Sequence, residues 1–277
     1  MRSEDALSDM SHIILTRFNV PTPGREAEIR ARTGWLERRF DIFAQYCLPA
    51  VAAQTARDFI WIIYFDTATP KPFRERIERC QQEFPFVALF RDSLPPETVI
   101  ADVRAHMAPD AKRLLTTRLD NDDALARDFV ARLQVVARDV PPGTALNFPD
   151  GVAWRDGWVF SARDESNPFA SVVEDARDFR TIWCKPHTLL AEAFTLRQIE
   201  DGLAWVQVIH GENVTNRVKG RQRPGSVLGD RFAIRPGADV KSPGALDALA
   251  ETLVRYPYRV VRETAVRMVK PFVKAIR

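Results

Sequence analysis

Cysteine is scarce: Cys47, Cys80 and Cys184 are the only three in 277 residues. Their odd number and wide spacing exclude a disulfide framework and offer no metal-ligand pattern, so reduced, mostly buried thiols in a cytoplasmic protein are expected. The sequence has no Gly-x-Ser-x-Gly elbow, Walker loop, dinucleotide glycine fingerprint or zinc spacing, which removes the commonest rival chemistries. No apolar run approaches the length that spans a bilayer. Ile13-Ile14-Leu15 is far too short for the core of a signal peptide. Internal repeats and low-complexity tracts are also missing. A net charge of +3 is too mild to indicate nucleic-acid binding. What remains is the composition of a soluble globular protein, 45% hydrophobic and 28% charged, long enough for one large domain or two small ones.

Over the first 150 residues, strand-like and helix-like segments alternate. His12 to Val20 is β-rich and stops at the Pro21-Thr22-Pro23-Gly24 breaker. Glu26 to Ala53 reads as helical, interrupted near Pro49. Phe59 to Phe65 is almost continuously apolar, the mark of a central strand covered on both faces, and it ends at Asp66 before a helix near Pro70. Phe86 to Phe90 and Arg113 to Leu119 read as strands; Glu97 to Met107 and Leu125 to Val136 read as helices. This spacing predicts βαβ units and a parallel, doubly wound sheet, in which ligands bind beyond the carboxyl ends of the strands. Asp66 and the run Asp120-Asn121-Asp122-Asp123 both fall there.

After Pro141-Pro142-Gly143 the alternation is lost. Ala145 to Trp154 and Gly157 to Ala162 are expected to pair through a turn at Arg155-Asp156-Gly157. Trp205 to Ile209 reads as a strand ending at His210-Gly211-Glu212-Asn213, and Lys219 to Ser226 and Arg235 to Pro243 read as loops.

The acidic run admits two readings. Carboxylate oxygens are hard ligands suited to Mg²⁺ or Mn²⁺, which in turn hold diphosphates. Asp120 and Asp122 flank one residue, so in an extended strand end both side chains leave on the same side. The alternative is a helix cap: Asp122 or Asp123 preceding a helix that begins at Ala124.

Several segments together resemble a bacterial rhamnosyltransferase family related to the family 2 glycosyltransferases. They are Thr16-Arg17-Phe18-Asn19, Trp61 to Asp66, Thr117 to Ala124, Asn167 to Glu174 and Trp205 to Val214, spread over roughly residues 12 to 220. The Arg118-Leu119-Asp120-Asn121-Asp122-Asp123 block is the most specific part. The resemblance implies a GT-A-like, doubly wound, mostly parallel α/β sheet with a Rossmann-like nucleotide-binding half, a loop-rich acceptor half and a C-terminal helix. It implies transfer of a sugar, by the family's label rhamnose, from a nucleotide-sugar donor to a glycan or lipid-linked acceptor, with Mg²⁺ or Mn²⁺. The expected division is one domain over 1–240, with a nucleotide-sugar half at about 12–140 and an acceptor half at about 141–240, and an extension over 241–277.

On that reading Asp120, Asp122 and His210 are the candidate metal ligands. Arg17, Asp66, Arg118 and Asp120 are the candidate nucleotide-sugar contacts. Inversion at the anomeric carbon would also need a carboxylate base on the acceptor side. The candidates are Glu174, Asp201 and Glu212, with Glu174 preferred and Asp150 and Asp164 behind them. A weaker expectation of a metal or phosphate contact attaches to His187. Trp154, Trp158, Trp183 and Trp205 are read mostly as core, with sugar stacking as the alternative. The rival functions are a nucleotidyltransferase and a non-catalytic binding or scaffold protein.

The C-terminal segment is a separate signal. Val261, Ala265, Met268, Val269, Phe272, Val273 and Ile276 share one helical face, and Arg259, Arg262, Arg267, Lys270, Lys274 and Arg277 occupy the rest. A basic amphipathic helix suggests a peripheral site at the inner face of the plasma membrane; packing on the catalytic domain is the alternative.

Overall fold

The computed structural model describes residues 9–210, 217–235 and 240–275. Glu212 and the side chains from Val266 onward, which carried earlier expectations, lie outside the described residues.

Strand β1 (Met10–Arg17) is followed by a helical region in pieces: α1 (Arg25–Arg30), α2 (Trp35–Ile42), a π-helical turn (Phe43–Cys47) and α3 (Leu48–Ala52). The expected interruption near Pro49 is the π-helical turn that precedes it, and a second break falls at residues 31–34, where Gly34 adopts φ +72° ahead of α2. Pro49 is tolerated because it stands in the first turn of α3, where a missing N–H costs little. The Gln45 carbonyl, four residues earlier, takes its hydrogen bond from the Arg235 N–H at 3.1 Å.

Then come β2 (Ile60–Phe65), α4 (Lys71–Glu83), β3 (Val87–Phe90), α5 (Pro96–His106), β4 (Arg113–Arg118), β5 (Ala124–Leu125) and α6 (Phe129–Arg138). The remaining strands are β6 (Thr144–Asn147), β7 (Asp150–Arg155), β8 (Trp158–Arg163), β9 (Ser171–Asp175), β10 (Thr195–Gln198), β11 (Trp205–Val208) and β12 (Gln222–Arg223). Helix α7 (Ala245–Ala250), a π turn (Glu251–Arg255) and α8 (Tyr256–Ala275) end the described chain.

Seven strands form the main sheet in the order β10-β6-β9-β4-β1-β2-β3, and all neighbours are parallel except those of β9. This is the doubly wound, mostly parallel α/β architecture expected. Its central strands are covered on both sides, which explains their unbroken apolar sequence. Ile14, Trp61, Ile63 and Phe65 face one cluster with Phe40 and Phe43; Ile13, Leu15, Ile62 and Tyr64 face the other with Val99 and Val103. Three strands of the second half, β6, β9 and β10, extend this sheet.

A second sheet has the order β12-β8-β7-β11-β5. The single strand expected over Ala145 to Trp154 is two, β6 in one sheet and β7 in the other. The break falls at Pro149, which cannot donate to a ladder. The expected hairpin turn is present: Asp156 and Gly157 both take positive φ between the paired residues Arg155 and Trp158. Gly151 in β7 admits no side chain, because a Cβ there would lie 2.2 Å from the Trp205 indole. Trp205 is core, stacked on Phe169 with its N–H donated to the Phe148 carbonyl at 2.8 Å.

Candidate active site

The carboxyl ends of β1, β2, β4 and β11 meet at one edge of the molecule, and the acidic run lies among them. The backbone does not stay extended there. β4 ends at Arg118, and the Asp123 N–H bonds the Asp120 carbonyl at 3.3 Å, closing a turn. Asn121 ties the turn down, donating from Nδ2 to the carbonyls of Arg17 (3.1 Å) and Phe18 (2.8 Å) at the end of β1.

The turn sends its three carboxylates in three directions, so the expectation that Asp120 and Asp122 share a side is corrected. Asp120 turns back onto Arg118 in a two-pronged ion pair, Nε to Oδ1 at 3.1 Å and Nη2 to Oδ2 at 3.0 Å. Asp122 Oδ2 receives Arg39 Nη1 at 2.8 Å and His210 Nε2 at 2.9 Å. Burial pushes the Asp122 carboxyl up, but the Arg39 charge and the His210 hydrogen bond outweigh it and hold it at about 2. Asp123 is no helix cap. α6 starts only at Phe129, and residues 124 and 125 pair with β11 instead. The Asp123 Oδ1 accepts the Val208 N–H at 2.8 Å, which fixes β11 two residues ahead of His210. Burial, followed by the charges of Asp122 and Asp120, pushes the Asp123 carboxyl well up.

Asp66 follows β2. Its Oδ2 accepts Arg30 Nη2 at 2.9 Å, its Oδ1 accepts the Ala68 N–H, and its own N–H donates to Asn19. It is therefore both turn residue and ion-pair partner. Arg30 and Arg39 flank the buried Trp35, their guanidinium carbons 5.8 and 5.4 Å from its ring centre. The Nε of each arginine and the Trp35 indole N–H are buried without a hydrogen-bond partner among the described residues. Buried N–H groups left unpaired are costly.

On the other side of Asp120 lies a cavity of about 310 Å³ lined by Arg17, Arg118, Asp120, Trp183 and Lys185. Trp183 and Lys185 reach it through a strained segment: Thr181 takes φ +67°, rare for a residue with a β-branched side chain. Glu174 holds that segment, its two carboxylate oxygens accepting the N–H groups of Arg180 and Thr181 at 2.9 Å each. Burial pushes the Glu174 carboxyl up, with the two backbone bonds opposing.

Neither preferred base reaches the cluster. Glu174 pairs with Leu114, four residues before the end of β4, which at strand spacing is roughly 13 Å from Arg118. Asp201 is exposed at the amino end of β11, paired with Arg132 at 2.9 Å, at the opposite end of that strand from His210. Asp150 begins β7 and pairs with Arg163. His187, two residues past Lys185, is expected from the sequence only as a weak metal or phosphate contact and not as a base. It donates from Nδ1 to the Ser166 carbonyl and lies within electrostatic reach of Arg118, Asp120 and Asp164. Burial pushes the His187 imidazole down, so Nε2 carries a free lone pair at neutral pH. The local sequence gave no sign of this, since the neighbours are contributed by other strands.

The expected metal ligands also divide. His210 and Asp122 converge, whereas Asp120 faces Arg118, and among the described residues no group of three His, Cys, Asp or Glu side chains gathers to hold an ion. Imidazole nitrogen and carboxylate oxygen are donor types that suit Mn²⁺, but here His210 Nε2 and Asp122 Oδ2 are bonded to each other and Oδ2 also to Arg39, so an ion would have to displace these bonds, with water and substrate phosphate as its remaining ligands. Among the described residues no helix is long and apolar enough to cross a membrane.

The sequence model of a family described as "Putative rhamnosyl transferase" matches residues 11–222. No curated protein matches the chain in sequence. Among solved structures, S. aureus TarS 1-349 in complex with UDP is similar at 8% identity and a TM-score of 0.46, covering 72% of this chain. This chain spans 61% of that one. A structure from Desulfovibrio desulfuricans G20 described as a "putative nucleotide-diphospho-sugar transferase" is 12% identical with a TM-score of 0.36, over 71% of this chain and 80% of that one. The inositol-1-phosphate CTP transferase from T. maritima is 8% identical with a TM-score of 0.38, over 75% and 92%.

Proposed function

The chain belongs to the family described as "Putative rhamnosyl transferase", and from that premise we propose that it is a Mn²⁺- or Mg²⁺-dependent glycosyltransferase. It moves a sugar, rhamnose by the family's description, from a nucleotide-sugar donor to a glycan or lipid-linked acceptor in the cytoplasm. The observation that carries this reading is the convergence of Asp122 and His210, beside a cavity walled by Arg17, Arg118 and Lys185, at the carboxyl end of a parallel sheet.

Asp66 and Arg17 receive the nucleoside. Arg118 and Lys185 take the donor's negative charge, and Asp120, held by Arg118, orients the sugar or ribose hydroxyls. Asp122 and His210, released from their bond to each other and to Arg39, would hold the metal ion, which would neutralise charge on the departing nucleoside diphosphate. His187, neutral and fixed through Nδ1, accepts at Nε2 the proton of the attacking acceptor hydroxyl.

A nucleotidyltransferase would want a glycine-rich phosphate loop after β1. Here Phe18 and Asn19 occupy that turn and are buried, with Phe18 4.4 Å from the Phe40 ring. The test is a panel of nucleotide sugars with Mn²⁺, read as donor hydrolysis and as a raised melting temperature. Activity with one donor, lost in Asp122→Ala, supports the transferase. Binding without turnover under any donor supports a scaffold instead.

A further inference from the structure

The C-terminal helices sit on the domain the opposite way from an ordinary surface helix, which buries its apolar stripe. Among the described residues eleven large hydrophobic side chains are exposed, and seven of them fall between Leu246 and Val261. Leu246, Leu249, Leu253, Val260 and Val261 form an outward stripe, with Leu253 65% and Val261 69% exposed. The polar side is what meets the domain. Buried Glu251 accepts the Gln222 N–H at 2.7 Å, and Arg259 and Arg262 donate to the carbonyls of Gly220 (3.2 Å) and Val218 (3.1 Å).

The surroundings of the stripe are basic. Residues 217–223 and 245–265 together carry seven arginines and lysines against three carboxylates, Asp247, Glu251 and Glu263. A groove of about 520 Å³ opens beside Val254 and Tyr258, with Arg155, Arg217, Arg255 and Arg262 outnumbering Asp156 on its walls; Arg155 pairs with Asp156, Arg255 with Asp247, and Arg217 and Arg262 share Glu263. The Arg262 Nε is buried with no hydrogen-bond partner among the described residues.

We propose that this face docks on a bilayer surface containing anionic phospholipids, with the stripe in the interfacial layer and the groove arginines on lipid phosphates. An apolar stripe flanked by cations matches both layers of such a surface, and the described helices are not apolar enough to cross it. A second copy is the poorer occupant, because a two-fold contact through this face would set its positive charge against itself. The proposal stands independently of the transfer reaction.

The test is co-sedimentation of the full chain with phosphatidylcholine vesicles, with and without phosphatidylglycerol. Binding should require phosphatidylglycerol, weaken with added salt, and fall roughly tenfold or more in the Leu253→Asp/Val261→Asp double variant. That variant should keep the wild-type melting temperature, since both side chains are exposed. Arg217→Gln/Arg255→Gln should weaken binding to the anionic vesicles only. Absence of vesicle binding, or equal binding by the Asp double variant, overturns the proposal. So does a concentration-dependent dimer, abolished by the same variant, in a chain that ignores vesicles. Donor hydrolysis measured without vesicles is expected to be unchanged in these variants, which separates failure of docking from failure of the enzymatic reading.

Discussion

The Asp122 carboxylate and the His210 imidazole meet at 2.9 Å across 88 residues of sequence. Asp120, two residues from Asp122, does not join them and pairs with Arg118. The two aspartates are therefore expected to fail differently.

Asp122→Asn and His210→Ala should each lower Mn²⁺-supported kcat/KM by roughly a hundredfold or more, because a metal contact is worth several kcal/mol of transition-state stabilisation. Both should also raise the Mn²⁺ concentration needed for half-maximal rate. Asp120→Asn should raise the donor KM and leave that Mn²⁺ requirement in place. Equal Mn²⁺ shifts in all three variants would refute this division.

Glu174 is expected to act as a support for Thr181 rather than as a base. Glu174→Gln removes one charge-assisted acceptor from the two backbone N–H groups and should cost about 1.5–3 kcal/mol of stability, read as a lower denaturation midpoint. The pH–rate profile of the remaining activity should keep its shape. A loss of kcat above about a thousandfold with unchanged stability would instead assign Glu174 to the chemistry.

His187 should set the acid limb of the pH–rate profile. Its imidazole lies below the ordinary 6.5, pushed down by burial, so activity should decline only at pH values below that. His187→Asn should abolish the limb and reduce kcat by roughly a hundredfold or more. A limb that persists in the variant excludes the residue.

His12 should make the fold acid-sensitive. It is buried in β1, its Nε2 donating to Thr117 Oγ1 at 2.8 Å and its Nδ1 accepting from Gln134, and burial pushes it down to about 3. Below pH 6.5 the unfolded chain takes up a proton that the folded chain refuses until about 3. The contribution is therefore complete above 6.5 and is lost as the pH falls, by at most about 5 kcal/mol. About 2 kcal/mol of that falls between pH 6.5 and about 5, above the range of ordinary carboxylates. His12→Gln should flatten the decline of melting temperature in that interval, and an unchanged slope would contradict the assignment.

The sequence by itself determined the parallel sheet and the edge at which a ligand would bind. Both follow from local patterns, the unbroken apolar run of Ile60 to Phe65 and acidic residues directly after β2 and β4. Which carboxylate does what was decided only in three dimensions. Asp120, Asp122 and Asp123 are indistinguishable by type, but a turn closed by one hydrogen bond and anchored by Asn121 aims them at Arg118, at Arg39 with His210, and at β11. The distances of Glu174 and His187 from that edge were decided in the same way. The pairing of β9 against β4 carries Glu174 away from the carboxyl edge, and the strained segment it supports returns the chain to that edge at Lys185. Period and polarity are local properties of a chain, whereas the partner of a side chain is set by strand register and crossover between distant segments, which only the folded packing fixes.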